Sequence, residues 1–197
     1  MLDLSFRLRS ESAIAADHGY LLYSALSTLV PRLHQGNGIG VHPIAGRQNG
    51  DRNLQLQSWS RMTIRTPETG IGELVGLAGK SLKVGGQSLG IGIPEVWPLV
   101  PATSLRARLV TIKGFLDADA FLEAARRQLA DLGISNETIA TVTRRRTLRI
   151  KDKEIVGFEL LVEALSAEES IKIQEQGVGG RRHMGCGIFV PMVPRSA

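Results

Sequence analysis

The apolar residues of this chain change period along its length, and they do so in the same order twice. Residues 2–9 place Leu2, Leu4, Phe6 and Leu8 on one side and Asp3, Ser5, Arg7 and Arg9 on the other, the period-2 alternation of a half-buried strand. Leu21, Leu22, Ala25, Leu26, Leu29, Val30 and Leu33 then recur at helical spacing, which makes one apolar helix face. Asp17 is a candidate N-cap for this helix. Pro31 should end or kink it, because proline lacks the N–H donor and clashes with the preceding turn. A short apolar run at 39–44 follows, then a polar loop, then alternation across 54–65 with Leu54, Leu56, Met62 and Ile64 on one side. Residues 70–84 read as a weaker, glycine-interrupted helix. Residues 87–101 read as a last strand running into a linker.

The second half repeats the series. Residues 104–113 read as a strand, and 117–132 as a helix with Phe121, Leu122, Ala125, Leu129 and Leu132 on its face. Residues 139–150 and 154–164 read as a hairpin around Lys151-Asp152-Lys153. Ser166 is placed to cap a helix over 167–175, with Glu168 and Glu169 in the first turn where the helix dipole favours acids. Residues 185–191 close the series as a strand. Two consecutive βαββαβ series predict an α+β chain of two tandem ferredoxin-like domains, divided at 1–101 and 102–197. The order of elements carries this reading; no repeated sequence does.

The 197 residues are 43% hydrophobic and 22% charged, the balance of a soluble globular protein, and no apolar run approaches the roughly 20 residues that span a bilayer. The alternating first strand is unlike a signal peptide. A single cysteine, Cys186, excludes an internal disulfide and a cysteine-rich zinc site. The expected location is the cytoplasm, with no membrane partner. Asp and Glu show no metal-ligand spacing, so neither a metal nor any other cofactor is expected. Lys and Arg total 24 against 19 for Asp and Glu, a formal charge of +5. Its concentration says more than its size. Residues 143–153, TRRRTLRIKDK, hold Arg144, Arg145, Arg146 and Arg149 with two lysines, an electrostatic footprint suited to a phosphate backbone. Alternation on the predicted strand sends Arg144 and Arg146 one way and Arg145 and Arg149 the other. Aromatic residues are few, at 5%, which disfavours base stacking across a sheet of the RRM kind.

The most specific feature is the segment Gly177-Val-Gly-Gly-Arg-Arg-His-Met-Gly-Cys-Gly187. It contributes Gly177, Gly179, Gly180, Arg181, Arg182, His183, Gly185 and Gly187 as candidate phosphate-binding residues. Glycine allows positive φ and close approach to a ligand, and successive N–H groups in such a loop can cradle an anion. The segment follows a helix and leads into a strand, with no Gly-Lys-Ser/Thr, which excludes the familiar mononucleotide and dinucleotide loops.

A G-x-G-G-x-x-x-x-G-x-G loop before the last strand, on duplicated ferredoxin-like units, resembles the repeat-associated (RAMP) superfamily of CRISPR proteins. Within it the chain is similar to the CRISPR precursor-RNA endoribonuclease, in its MYXAN subtype. The resemblance implies metal-independent cleavage at a repeat hairpin, leaving a 2′,3′-cyclic phosphate and a 5′-hydroxyl. The implied partners are the CRISPR repeat RNA and other subunits of a guide-RNA complex. A non-catalytic RAMP-type subunit that holds guide RNA is the alternative.

Attack by an internal 2′-OH needs a proton acceptor, a proton donor to the 5′ oxygen and nearby cations, and histidine suits either proton role. His34, at the end of the first helix, matches the place where members of the resembled family carry a catalytic histidine. His42, just past the next turn, is the second candidate. Tyr23 on the helix can supply a phenol that orients the ribose, as some family members do. His18 is expected as a solvated helix-end residue, and His183 as a phosphate contact.

Overall fold

The computed structural model describes residues 1–10, 12–31, 33, 38–50 and 52–192. It divides into two compact units. Unit 1 is Met1–Pro98 with Arg149–Asp152 and His183–Gly185, and unit 2 is Leu99–Leu148, Lys153–Arg182 and Cys186–Ala197.

In unit 1, β1 (Leu2–Arg9) is followed by β2 (Ile14–Ala15), α1 (Gly19–Leu29), β3 (Gly40–Val41), β4 (Arg47–Gln48), β5 (Asn53–Gln55), β6 (Arg61–Thr66), α2 (Ile71–Val75), β7 (Ser81–Val84) and β8 (Gln87–Pro98). Five strands form one sheet in the order β3-β6-β1-β8-β7. Its first four, with α1 and α2 between them, are the ferredoxin-like arrangement, and β7 adds an edge by hairpin pairing with β8. β1 is central and antiparallel to both β6 and β8. Its alternation puts Leu4, Phe6 and Leu8 into a core with Leu22 and Leu26 of α1 and with Met62 and Ile64 of β6.

Three expectations fail here for physical reasons. The alternation across 54–65 spans two strands and not one. Leu54 lies on β5, in a small separate sheet ordered β2-β5-β4, and Met62 and Ile64 lie on β6. A turn near Ser58–Ser60 breaks the run, with the Ser60 hydroxyl accepting from Gln57 N–H and donating to Ala45 C=O. The helix expected over 70–84 is only five residues long, and Leu82 and Val84 belong to β7. Gly76 ends α2 and Gly79 turns the chain at φ 80°. α1 stops at Val30, before Pro31 as expected, but its N-cap is His18, with no side-chain cap bond. Asp17 accepts the Arg149 N–H instead, at 2.7 Å.

Unit 2 follows its sequence pattern closely. β9 (Ser104–Val110), α3 (Ala118–Asp131), β10 (Ile139–Ile150), β11 (Lys153–Glu163), α4 (Ala167–Gln176) and β12 (Phe189–Pro191) form a sheet ordered β10-β11-β9-β12. That order is the ferredoxin-like one. Leu105, Ala107, Leu160, Val162 and Phe189 on the sheet pack with Phe121, Ala125 and Ile173 of the helices. Asp117 caps α3 by accepting from Asp119 and Ala120 N–H. The Ser166 hydroxyl accepts from Glu169 N–H while the Glu169 carboxylate accepts from Ser166 N–H, a complete capping box.

Ser166→Ala should lower the unfolding free energy by about 1 kcal/mol, the usual worth of such a cap. Urea unfolding of both proteins checks this, and Ser166→Thr should restore most of the loss.

Candidate active site and nucleic-acid interface

The glycine-rich segment is packed against its own protein. Gly177, Gly179 and Gly187 have φ of 71°, 76° and 64°. A Cβ on each would collide with a carbonyl oxygen, that of Gly187, Thr111 and Val178 respectively. These glycines are therefore required by the fold. Most of the donors expected to cradle an anion are also committed: Gly177 N–H to Ile173 C=O, Gly179 N–H to Gln128 Oε1, Gly180 N–H to Thr111 C=O and Gly187 N–H to Leu109 C=O. The N–H cradle expected from sequence is not what these glycines form. Gly180 alone among the five is exposed, lacks a positive φ and has space around it.

The loop's two arginines have different surroundings. Arg182 turns back on α4, where Nη1 donates to the carbonyls of Glu175 and Gln176 and Nη2 to that of Gln174. It thereby satisfies the open end of the helix, as cations at C-termini do. Arg181 takes φ 64° and donates from Nη1 to the Thr111 hydroxyl at 3.2 Å.

His183 belongs to unit 1. It sits in a 3-10 turn over Arg182–Met184, and the following Gly185 lies beside Pro43 and Val41, where a Cβ would come within 3.1 Å of the proline ring. The His183 ring rests 4.4 Å from that of Tyr23, centroid to centroid, at 47°. Tyr23 flanks the buried face of α1, half-buried against the core. Unit 1 thus brings a phenol and an imidazole into contact.

His42 has a carboxylate neighbour. Its N–H donates to Thr63 C=O, and its Nε2 lies 3.5 Å from Asp3 Oδ1. Asp3 also accepts two bonds from the fully buried Arg65, at 2.8 and 2.9 Å. Burial alone would raise the Asp3 carboxyl; the hydrogen bonds from Arg65 and His42 outweigh it and hold the group well below the usual carboxylate range. Asp3 therefore stays ionised at neutral pH and offers His42 a fixed acceptor. His34 lies outside the described residues. His18 is not solvated as expected but 3% exposed. Its Nδ1 donates to Ala15 C=O and its Nε2 accepts from Ile44 N–H, so both ring nitrogens serve the fold.

In unit 2 the arginines of β10 border a groove of about 810 Å³. Arg144 and Arg146 both line it with Arg106, as their shared parity predicts. Arg145 and Arg149 are exposed. Arg146 is not free for phosphate, because its Nε and Nη2 donate to Glu159 Oε2 at 2.9 and 2.6 Å. Arg106 Nε and the Thr143 hydroxyl donate to Oε1. Sequence reasoning missed Glu159. Its position on the outward parity of β11, across from arginines, was the available signal. Burial would raise its carboxyl, but the bonds from Arg106, Arg146 and Thr143 push it from an ordinary 4.5 down to about 2.

Residues 2–193 match the family model described as Cas6 Crispr. The chain belongs to the Cas6 family. It is 43% identical over 190 residues to the CRISPR-associated endonuclease Cas6 of Myxococcus xanthus (strain DK1622), covering 96% of this chain and 81% of that protein. Among solved structures, a CRISPR-associated Cas6 protein superposes with a TM-score of 0.73 at 15% identity, over 98% of this chain and 99% of that one. A RAMP protein described as binding different RNA substrates does so with 0.66 at 14%, over 96% and 98%. At these identities the two structures speak for the ferredoxin-like Cas6 fold. Among the described residues, no helix is long and apolar enough to cross a membrane.

In this Cas6-family chain the Glu159 cluster should make stability depend on acid. A carboxyl held at about 2 when folded contributes stability that is complete above its ordinary 4.5 and lost as pH falls towards 2. Urea midpoints measured at pH 7, 4.5 and 3 should fall more steeply for the unsubstituted protein than for Glu159→Gln. Parallel curves would count against the cluster.

Proposed function

We propose that this chain is an endoribonuclease that cuts CRISPR precursor RNA within its repeats, without a metal, by attack of the ribose 2′-OH on the adjacent phosphate. In that step the 2′ oxygen bonds to phosphorus, the P–O5′ bond breaks, the 2′ proton passes to a base on the protein and an acid protonates the leaving O5′. The products are a 2′,3′-cyclic phosphate and a 5′-hydroxyl. The nucleophile comes from the substrate, so no activated water is needed, and the protein's part is orientation, proton transfer and charge stabilisation.

The observation that carries this reading is the close kinship with a curated Cas6 endonuclease over nearly the whole chain. The meeting of Tyr23 with His183 supports it, because this places proton-carrying side chains of α1 and of the glycine-rich loop together. His34 is proposed as the principal proton-transfer group. His42, oriented by Asp3, is its alternative, and Tyr23 orients the ribose. Arg181, Arg144, Arg145 and Arg149 are proposed to hold the phosphate chain, with Gly180 as the point of close backbone approach. Arg146 and Arg182 contribute through Glu159 and through the end of α4. The remaining loop glycines set the loop's shape, and the guide-RNA complex in which such a nuclease works would supply its other protein partners.

A 5′-labelled repeat RNA incubated with the protein in EDTA should be cut at one position. His34→Ala should lower the single-turnover rate by about 10²–10⁴, the usual worth of one acid–base group, with RNA affinity retained. An unchanged rate would move the role to His42 or Tyr23. Tight binding without any cleavage by the unsubstituted protein would make the chain a guide-RNA-holding subunit and defeat the nuclease reading.

A further inference from the structure

The outward face of the unit 1 sheet carries a basic track that none of the groups above uses. Resting on the reading of this chain as an RNA nuclease, we propose that this track is a second RNA site, taking a single-stranded segment that flanks the stretch to be cut.

Arg7 and Arg9 stand on β1, paired on one side with β6 and on the other with β8. Charges on an edge strand commonly protect it from pairing with other chains, but β1 has no free edge to protect. Leu8 and Ile91, opposite each other in register, point into the core. The residues beside them, Arg7, Arg9, Gly90 and Gly92, therefore face outward. Arg7 is also directly opposite Arg61 of β6. Like charges at such a position are destabilising, and an anion above them removes that cost. Glu95 is 3.4 Å from Arg7 in a pair exposed on both sides, which contributes little.

The floor beside these arginines is bare backbone. Gly92 is tightly packed, since a Cβ there would sit 3.2 Å from the Cβ and carbonyl oxygen of Arg7, next to the register shift in β1. Gly90 is not. It has no positive φ, and a Cβ would make only ordinary contacts of 3.7 Å with Arg9. Glycine inside a strand weakens it and commonly marks the close approach of a ligand. The groove over this floor holds about 630 Å³, with Lys80 on its border and Ile93, 80% exposed, at its side. That volume is of the order of small-ligand sites, about 300–1,000 Å³, enough to receive unpaired nucleotides. Cations for phosphates, guanidinium planes and a flat floor for bases are what single strands bind.

The test compares two synthetic RNAs, the bare repeat and the repeat with single-stranded flanks on both sides, each titrated at several salt concentrations. The unsubstituted protein should bind the flanked RNA more tightly. In Arg9→Ala/Lys80→Ala that advantage should collapse towards one, and the salt slope on flanked RNA should drop by about 1.4, from two lost contacts at roughly 0.7 each on a single strand. Gly90→Val, which fills the floor and leaves every charge, should reduce the advantage too. Flanks that give no advantage, or a double variant that keeps it, would overturn the proposal. Cleavage by the unsubstituted protein alongside either result would leave the nuclease reading standing. A flank advantage lost in the variant, without any cleavage, would instead support the site and defeat the nuclease reading.

Discussion

Close backbone approaches, with no room for a side chain, shape the glycine-rich loop. Gly177, Gly179 and Gly187 leave carbonyl oxygens where side chains would otherwise begin. In a loop packed this way the amides of Gly177, Gly179, Gly180 and Gly187 are spent on the fold. Its chemistry therefore comes from what the packing presents. Arg181 is held in a left-handed conformation, Gly180 is exposed, and His183 lies against Tyr23. Gly185, seated beside Pro43, fixes the turn from which His183 extends.

Charge is managed in two ways. Several arginines are paired with carboxylates: the buried Arg65 with Asp3, and Arg146 and Arg106 with Glu159. Removing one partner from such a group leaves an uncompensated charge, which is far more costly than the pair is stabilising. Where arginines are exposed, as at Arg7, Arg9, Arg144 and Arg145, they lie on strands whose other faces build the cores. On β1 one parity serves packing and the other carries cations, whereas β10 carries arginines on both parities.

Much of this was legible in the residues. The alternation of β1, the helical faces of α1 and α3, the cap at Ser166 and the hairpin around Lys151 all have a local physical cause, so periodicity alone located them. The strand break between Leu56 and Met62 had no such signal, because two short strands of like parity look like one long one. The helix expected over 70–84 failed because Leu82 and Val84 fit either period until β8 pairs with them. At the site, sequence spacing could show that the loop held glycines, arginines and a histidine. It could not show that Arg182 closes α4, that Glu159 claims Arg146 or that Asp3 faces His42, since those partners are separated by tertiary contacts and not by spacing. His18 was misjudged for the same reason: its acceptor role depends on the distant Ile44 N–H.

In the proposed mechanism the RNA supplies its own nucleophile, and the protein orients it, transfers protons and stabilises the developing charge. The most direct measurement is single-turnover cleavage of a repeat RNA carrying one 2′-deoxy substitution at the nucleotide 5′ to the scissile phosphate. Binding should persist and cleavage should vanish. A deoxy-substituted repeat cut at the normal rate would contradict the account.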